Sequence, residues 1–128
     1  MNVLGVGIDV IEIWRLERAL QRWGEKFIRR VFSDEEMASM GCRSKRMEHL
    51  AGRFAAKEAV IKALGLKGAG VSWRDIEVLS EPRGRPVVRL GGVSLKRAKD
   101  LNLACLEVSI SHSRTMACAC AIAGGDRR

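Results

Sequence analysis

The chain has 128 residues, enough for one domain with a real core (1–128) and too few for two. Apolar residues make up 47% of it, yet no apolar run approaches the roughly 20 residues of a membrane span, so a globular protein without a membrane partner is expected. The formal net charge of +8 calls for an anionic partner: nucleic acid, an acidic protein or a phosphorylated small molecule.

Charge cannot choose among these, but motifs narrow the field. There is no Tyr, no paired Cys/His spacing of a zinc finger and no aromatic RNA-binding pair, so a nucleic-acid module has only the charge in its favour and none is expected. The N-terminus lacks the charged and apolar regions of a secretory signal, so a cytoplasmic protein is expected. Cys42, Cys105, Cys118 and Cys120 show no C-x-x-C spacing and read as reduced, buried, small apolar residues.

Residues 2–11 alternate as a strand. Leu4, Val6, Ile8 and Val10 are expected to face a core, and Gly5, Gly7 and Asp9 the other side. Two glycines beside an acid form a shelf free of side chains. It reads either as a close-packed sheet edge with Asp9 capping the next helix, or as a phosphate or metal site. Residues 13–23 follow as an amphipathic helix with the stripe Ile13, Leu16, Leu20 and Trp23, ended by Gly24. Arg15, Arg18 and Arg22 share its second face, which is either solvated or docks an acidic surface. After Phe32, Ser33 and Glu36 have the spacing of a capping box, which need not exhaust Glu36. Arg43 to Arg46 is a basic connection, either a solvated loop or an anion clamp.

The longest helix is organised around residues 47–64. Met47, Leu50, Phe54, Ile61 and Leu64 make an apolar stripe, and Gly65 supplies a stop. Glu58 lies on that stripe, four residues after Phe54, while Lys57 falls near the opposite edge. A carboxylate aimed along a buried stripe needs a cation. An i,i+4 pair with Lys62 satisfies that need, and so does a metal. The turn Gly65 to Gly70 lies at the wrong helix end for a dipole-assisted phosphate site. Strands over 75–80 and 86–90 are joined as a hairpin, and a short helix covers 93–101. A strand reaches His112, which reads as a hydrogen-bonded strand end or as a functional group. The strand 115–122 alternates Ala with Met116, Cys118, Cys120 and Ile122, and its narrow face suits packing under a helix.

Four motifs then line up with a family. Gly7-Ile8-Asp9-Val10-Ile11-Glu12-Ile13 with Arg15, Phe32-Ser33-x-x-Glu36, Arg53-Phe54-Ala55-Ala56-Lys57-Glu58-Ala59-x-x-Lys62-Ala63-x-Gly65 and Ser109-Ile110-Ser111-His112-Ser113 resemble the 4′-phosphopantetheinyl transferases. The length and order resemble their short bacterial type. The resemblance implies an α+β fold with an antiparallel sheet packed on a long central helix. It implies transfer of phosphopantetheine from coenzyme A to a serine of acyl carrier protein, with release of adenosine 3′,5′-bisphosphate. It also implies Mg²⁺ held by Asp9 and Glu58, with Lys62 meeting the phosphates. Glu58 or a water would accept the serine proton. Lys45, Arg46, Arg53, Lys57, Gly65 and His112 would contact coenzyme A. Arg15, Arg18 and Arg22 would face the acidic carrier protein, and a homotrimer would form sites between subunits. Two departures stand out: Gly65-Leu66-Lys67-Gly68 replaces the usual Gly-Thr-Gly, and Glu107 occupies a strand position often apolar or His. Two other readings compete, a non-enzymatic basic binding module and a Glu58–Lys62 bridge with only a structural role.

Overall fold

A computed structural model describes residues 1–40 and 46–126. The elements run β1 (Asn2–Glu12), α1 (Ile13–Trp23), α2 (Glu25–Val31), α3 (Asp34–Met40), α4 (Arg46–Ala63), a 3₁₀ turn (Trp73–Asp75), β2 (Ile76–Ser80), β3 (Pro86–Leu90), α5 (Gly92–Asp100), β4 (Leu103–His112) and β5 (Met116–Gly125). This is the expected α+β architecture. An antiparallel sheet of order β1-β5-β4 packs on α4, and β2-β3 forms a separate hairpin. The chain pattern omits two elements: α2, and the 3₁₀ turn that leads into β2. No helix among the described residues is long and apolar enough to cross a membrane.

Side-chain size decides how the sheet meets the helix. Ala117, Ala119, Ala121 and Ala123 of β5 are buried against α4, as the narrow strand face predicts. On β1 the expectation is reversed. Gly5 and Gly7 face the helix so closely that a Cβ on either would lie 1.8 Å from a carbonyl oxygen of α4, that of Ala63 or Ala59. The glycine shelf is therefore filled by helix backbone, the approach that absent side chains permit. Val6, Ile8 and Val10 consequently point outward and are exposed. Leu4 alone of that set packs on the core, beside a register shift between Val3 and Gly5. The register continues the outward rows as Val6–Ile122–Glu107, Ile8–Cys120–Ser109 and Val10–Cys118–Ser111. Cys118 is thus exposed and Cys105 and Cys120 are only half-buried, so the expected burial fails because their strand positions face outward. Cys42 lies outside the described residues.

Helix α4 is enclosed on most sides. It contributes Leu50 and Ala51 to a core with α1, α2 and Phe32, and Ala55, Ala59, Val60 and Leu64 belong to or adjoin the sheet core. In α1, Ile13 and Leu16 are buried as expected, but Trp23 at the end of the stripe is exposed. Gly24 ends α1 at φ 58°, and Gly65 follows α4 at φ 66°. Both have the positive φ that glycine adopts without strain.

Candidate active site

The capping box forms as its spacing predicts. Ser33 N–H donates to Glu36 Oε1 (3.0 Å) and Glu36 N–H donates to Ser33 Oγ (3.1 Å). Glu36 then does more. Its side chain is fully buried and accepts the Lys57 ammonium at 2.6 Å, while its other oxygen accepts Val78 N–H at 2.9 Å. Lys57 also donates to the carbonyls of Trp73 (2.9 Å) and Ile76 (2.5 Å) and lies 5.3 Å from the Phe32 ring centroid. Burial pushes the Lys57 ammonium below the usual lysine range, and the Glu36 carboxylate opposes that. Lys57 is therefore not at the solvent edge, and the expected contact with coenzyme A is corrected. Its side chain has 0% exposure and its three protons have buried acceptors within the chain. One residue further on, 100° of helical rotation turns Glu58 out of the core.

Glu58 is half-buried and lines a cleft of about 540 Å³ with Asp9, Val10, Ile11, Glu12, Arg15, Phe54 and Met116. Two elements meet there. Asp9 comes from the helix-facing side of β1, beyond the two glycines, and Glu58 from the α4 face that crosses it. Burial raises the Glu58 carboxyl above its ordinary range, and the nearby Asp9 carboxylate raises it further. The Trp73 side chain and the Lys62 charge act in the opposite direction. Lys62 does not serve as the helical partner of Glu58. It reaches across to β1, donating to the Ile8 carbonyl at 2.8 Å and lying 3.3 Å from Asp9 Oδ1.

Asp9 and Glu58, which line one cleft, offer carboxylate oxygens of the kind a hard divalent cation takes. Mg²⁺ takes one or two carboxylates and fills its remaining positions with water and phosphate oxygens. Among the described residues no group of three or more His, Cys, Asp and Glu could hold a metal. The residues present thus fit a cation completed by its substrate, and do not make an all-protein cage.

Of the other expected residues that the structure describes, only Arg15 lines this cleft beside Asp9 and Glu58. Arg46 is exposed at the start of α4, about 18 Å along the axis from Glu58 at 1.5 Å per residue. His112 is near the same end, its Nδ1 2.9 Å from Glu48 Oε2 and its ring 6.1 Å from that of His49. Nothing in the spacing had singled out Glu48. Arg53 is buried and donates to the Ser80 hydroxyl. Gly65 forms the stop after α4, where its N–H donates to the Lys62 carbonyl at 3.1 Å, and it does not line the cleft. Lys45 lies outside the described residues. Arg15 borders the cleft, paired with Glu12 at 3.2 Å, and Arg15 and Arg18 both stack on Trp14. Arg22 stacks on Trp23. The departure at Glu107 forms an exposed pair with Arg85 at 2.8 Å.

The model of the 4′-phosphopantetheinyl transferase superfamily matches residues 5–121. The chain belongs to this family. It is 42% identical to the holo-[acyl-carrier-protein] synthase of Natranaerobius thermophilus over 124 residues, covering 97% of this chain and 99% of that one. Among solved structures, the holo-[acyl-carrier-protein] synthase of Helicobacter pylori in complex with coenzyme A superposes with a TM-score of 0.80 at 31% identity, covering 93% of this chain and 99% of that chain. The coenzyme A complex of the Chronobacterium ammoniagenes enzyme gives a TM-score of 0.83 at 36% identity, covering 96% and 98%. Fold and family thus agree with the motif reading over nearly the whole transferase.

Proposed function

We propose that this chain is a holo-[acyl-carrier-protein] synthase, moving the 4′-phosphopantetheine group of coenzyme A onto a serine of apo acyl carrier protein. The observation that carries the reading is the cleft that Asp9 and Glu58 both line, with Lys62 3.3 Å from Asp9. The serine oxygen forms a new bond to the phosphorus of the phosphopantetheine. The bond from that phosphorus to the bridging oxygen breaks, and adenosine 3′,5′-bisphosphate leaves. Asp9 and Glu58 would hold Mg²⁺, which when bound neutralises charge on the pyrophosphate. Lys62, 48% exposed and tied only across the cleft edge, can exchange its Asp9 contact for a phosphate oxygen. Glu58 or a water would take the serine proton.

Arg15, Arg18 and Arg22 lie on the helix that borders this cleft, and their stacking on Trp14 and Trp23 pre-sets the guanidinium groups. An acidic carrier protein fits that face, and it would deliver its serine beside Arg15. Arg46 and His112 would bind the nucleotide end of coenzyme A. Within one chain Arg46 sits about 18 Å along α4 from Glu58. A homotrimer that brings one copy's Arg46 and His112 to another copy's carboxylates accounts for that separation, and its interface would cover Val6, Ile8 and Val10. The protein would act in the cytoplasm, in fatty acid biosynthesis.

The test is mass spectrometry of a competent apo acyl carrier protein incubated with the chain, coenzyme A and Mg²⁺. The expected outcome is a mass gain of one phosphopantetheine that disappears with EDTA. No gain with any divalent metal overturns the reading.

A further inference from the structure

We propose that Glu48 is a positioning residue for coenzyme A, its carboxylate holding His112 by Nδ1 and so reserving Nε2 for a phosphate of the nucleotide end. The inference rests on the reading of this chain as a transferase that uses coenzyme A. Glu48 lies in the first turn of α4, and His112 is the last residue of β4. Helix and strand meet in a fixed register. A Cβ on Gly52 would lie 2.7 Å from Ile110 Cγ2, so the absent side chain at 52 lets α4 sit close to β4. Glu48 is one helical turn before Gly52 on the same face, a step of about 6 Å along the axis. His112 is two residues after Ile110 on the same strand face, a step of about 6.6 Å. The two steps match, and they bring His112 Nδ1 to 2.9 Å from Glu48 Oε2.

The chemistry of the acceptor decides which nitrogen is left. A carboxylate accepts and cannot donate, so it keeps a proton on Nδ1, and Nε2 becomes the nitrogen for a ligand. The His112 side chain is 32% exposed, and with Ser111 and Ser113 it lines a hollow of about 310 Å³. The His49 ring stands edge-on to it, 6.1 Å between centroids, and restricts its swing. Beyond it the chain turns tightly, with Ser113 Oγ accepting the N–H groups of Thr115 (3.3 Å) and Met116 (3.2 Å). With a phosphate oxygen at Nε2 the ring would donate from both nitrogens, and hydrogen bonds to ionised groups are about twice as strong as neutral ones. An acid in the first turn also favours the helix dipole wherever it points. That role needs no histidine, so experiment separates the two.

The test is a cycle of Glu48→Ala, His112→Ala and the double variant, with coenzyme A affinity read by calorimetry. Glu48→Ala is expected to weaken binding about tenfold. The KM for coenzyme A is expected to rise by a similar factor, with kcat little changed. In the His112→Ala background the same substitution is expected to have no further effect, because nothing is left for Glu48 to orient. A second readout needs no change at Glu48. The chain has two histidines, so long-range ¹H–¹⁵N spectra at alkaline pH resolve both imidazoles, and His112→Ala assigns them. The His112 proton is expected on Nδ1 in the unsubstituted chain. Three results each overturn the positioning role while the transferase reading stands: Glu48→Ala binding coenzyme A as the unsubstituted chain does, an equal loss in the His112→Ala background, or the His112 proton on Nε2. If the unsubstituted chain binds no coenzyme A, both fall.

Discussion

Lys57 places an ammonium where no solvent reaches, and Glu58, its neighbour, faces a cleft. Periodicity had assigned them the other way, with Glu58 on the core stripe and Lys57 outside. The stripe was legible only in part because α4 is enclosed on most of its circumference, so polar residues on it sort by available partners rather than by face. The partner of Lys57 was hidden in a capping box that already explained Glu36. Truncating one member of such a pair leaves a buried charge uncompensated, which costs about 3–5 kcal/mol. Lys57→Met is therefore expected to lose about that much in urea unfolding. At Glu58 the sign is opposite. Burial and the Asp9 charge both disfavour its ionised form, so its folded carboxyl lies above the unfolded value and stability falls as pH rises through that range. Glu58→Gln is expected to raise the melting temperature at neutral pH without metal while abolishing turnover. Added Mg²⁺ should stabilise the parent chain and leave Glu58→Gln unmoved. Asp9→Ala should likewise lose turnover with the fold intact, as read by circular dichroism. Glu77 behaves in the ordinary way: hydrogen bonds from Arg89 and Ser33 hold its carboxyl below the usual range, despite partial burial. Its contribution to stability is present above the unfolded carboxylate pKa and lost as pH falls through the lower folded value. Glu77→Gln is expected to flatten the acid side of the stability profile.

At the scale of elements, most of the chain was readable because its punctuation is explicit. Gly24 and Gly65 stop helices at positive φ, Ser33 and Glu36 start one, and the Glu-Pro-Arg-Gly-Arg turn closes the β2-β3 hairpin. Strand β1 shows what alternation leaves open. Period-two patterning sorts residues into two faces but does not say which face is inside. The large residues suggested a core, whereas the helix chose the glycines, because only an absent side chain lets α4 carbonyls approach. Asp9 inherits its position from that contact, since it follows Gly7 on the same face. Gly7→Ala would place a carbon 1.8 Å from the Ala59 oxygen, and neither backbone can move without shifting the other. Overpacking of this kind costs about 1–3 kcal/mol or more. Gly7→Ala is expected to show a lower urea midpoint, and to lose turnover beyond what residual unfolding explains, because the strand carrying Asp9 must move from Glu58. Full activity in a folded Gly7→Ala chain would contradict this account of how the cleft is built.

On the whole molecule, the same close packing leaves an unresolved debt of apolar surface. With the glycine and alanine faces turned to α4, Val6, Ile8, Val10, Met116 and Ile122 lie exposed together on the far face of the sheet. Contiguous apolar area of this sort marks an interaction surface. Arg46 also stands about 18 Å along α4 from Glu58, one of the two carboxylates proposed to hold the cation. Assembly of copies through this sheet face answers both problems, so oligomeric state and activity should fail together. Ile8 pairs in register with Cys120 at the centre of the face, and its side chain does not line the cleft. Ile8→Glu puts a charge where a second copy would bury it, a cost of several kcal/mol unless it finds a partner. Sedimentation equilibrium is expected to show a trimer for the parent chain and a monomer for Ile8→Glu. The monomer should retain its secondary structure by circular dichroism, because position 8 is exposed within one chain. Its turnover should fall steeply and recover in part at high protein concentration, where association is driven by mass action. An Ile8→Glu monomer with parent-level turnover would instead mean that one chain carries a complete site.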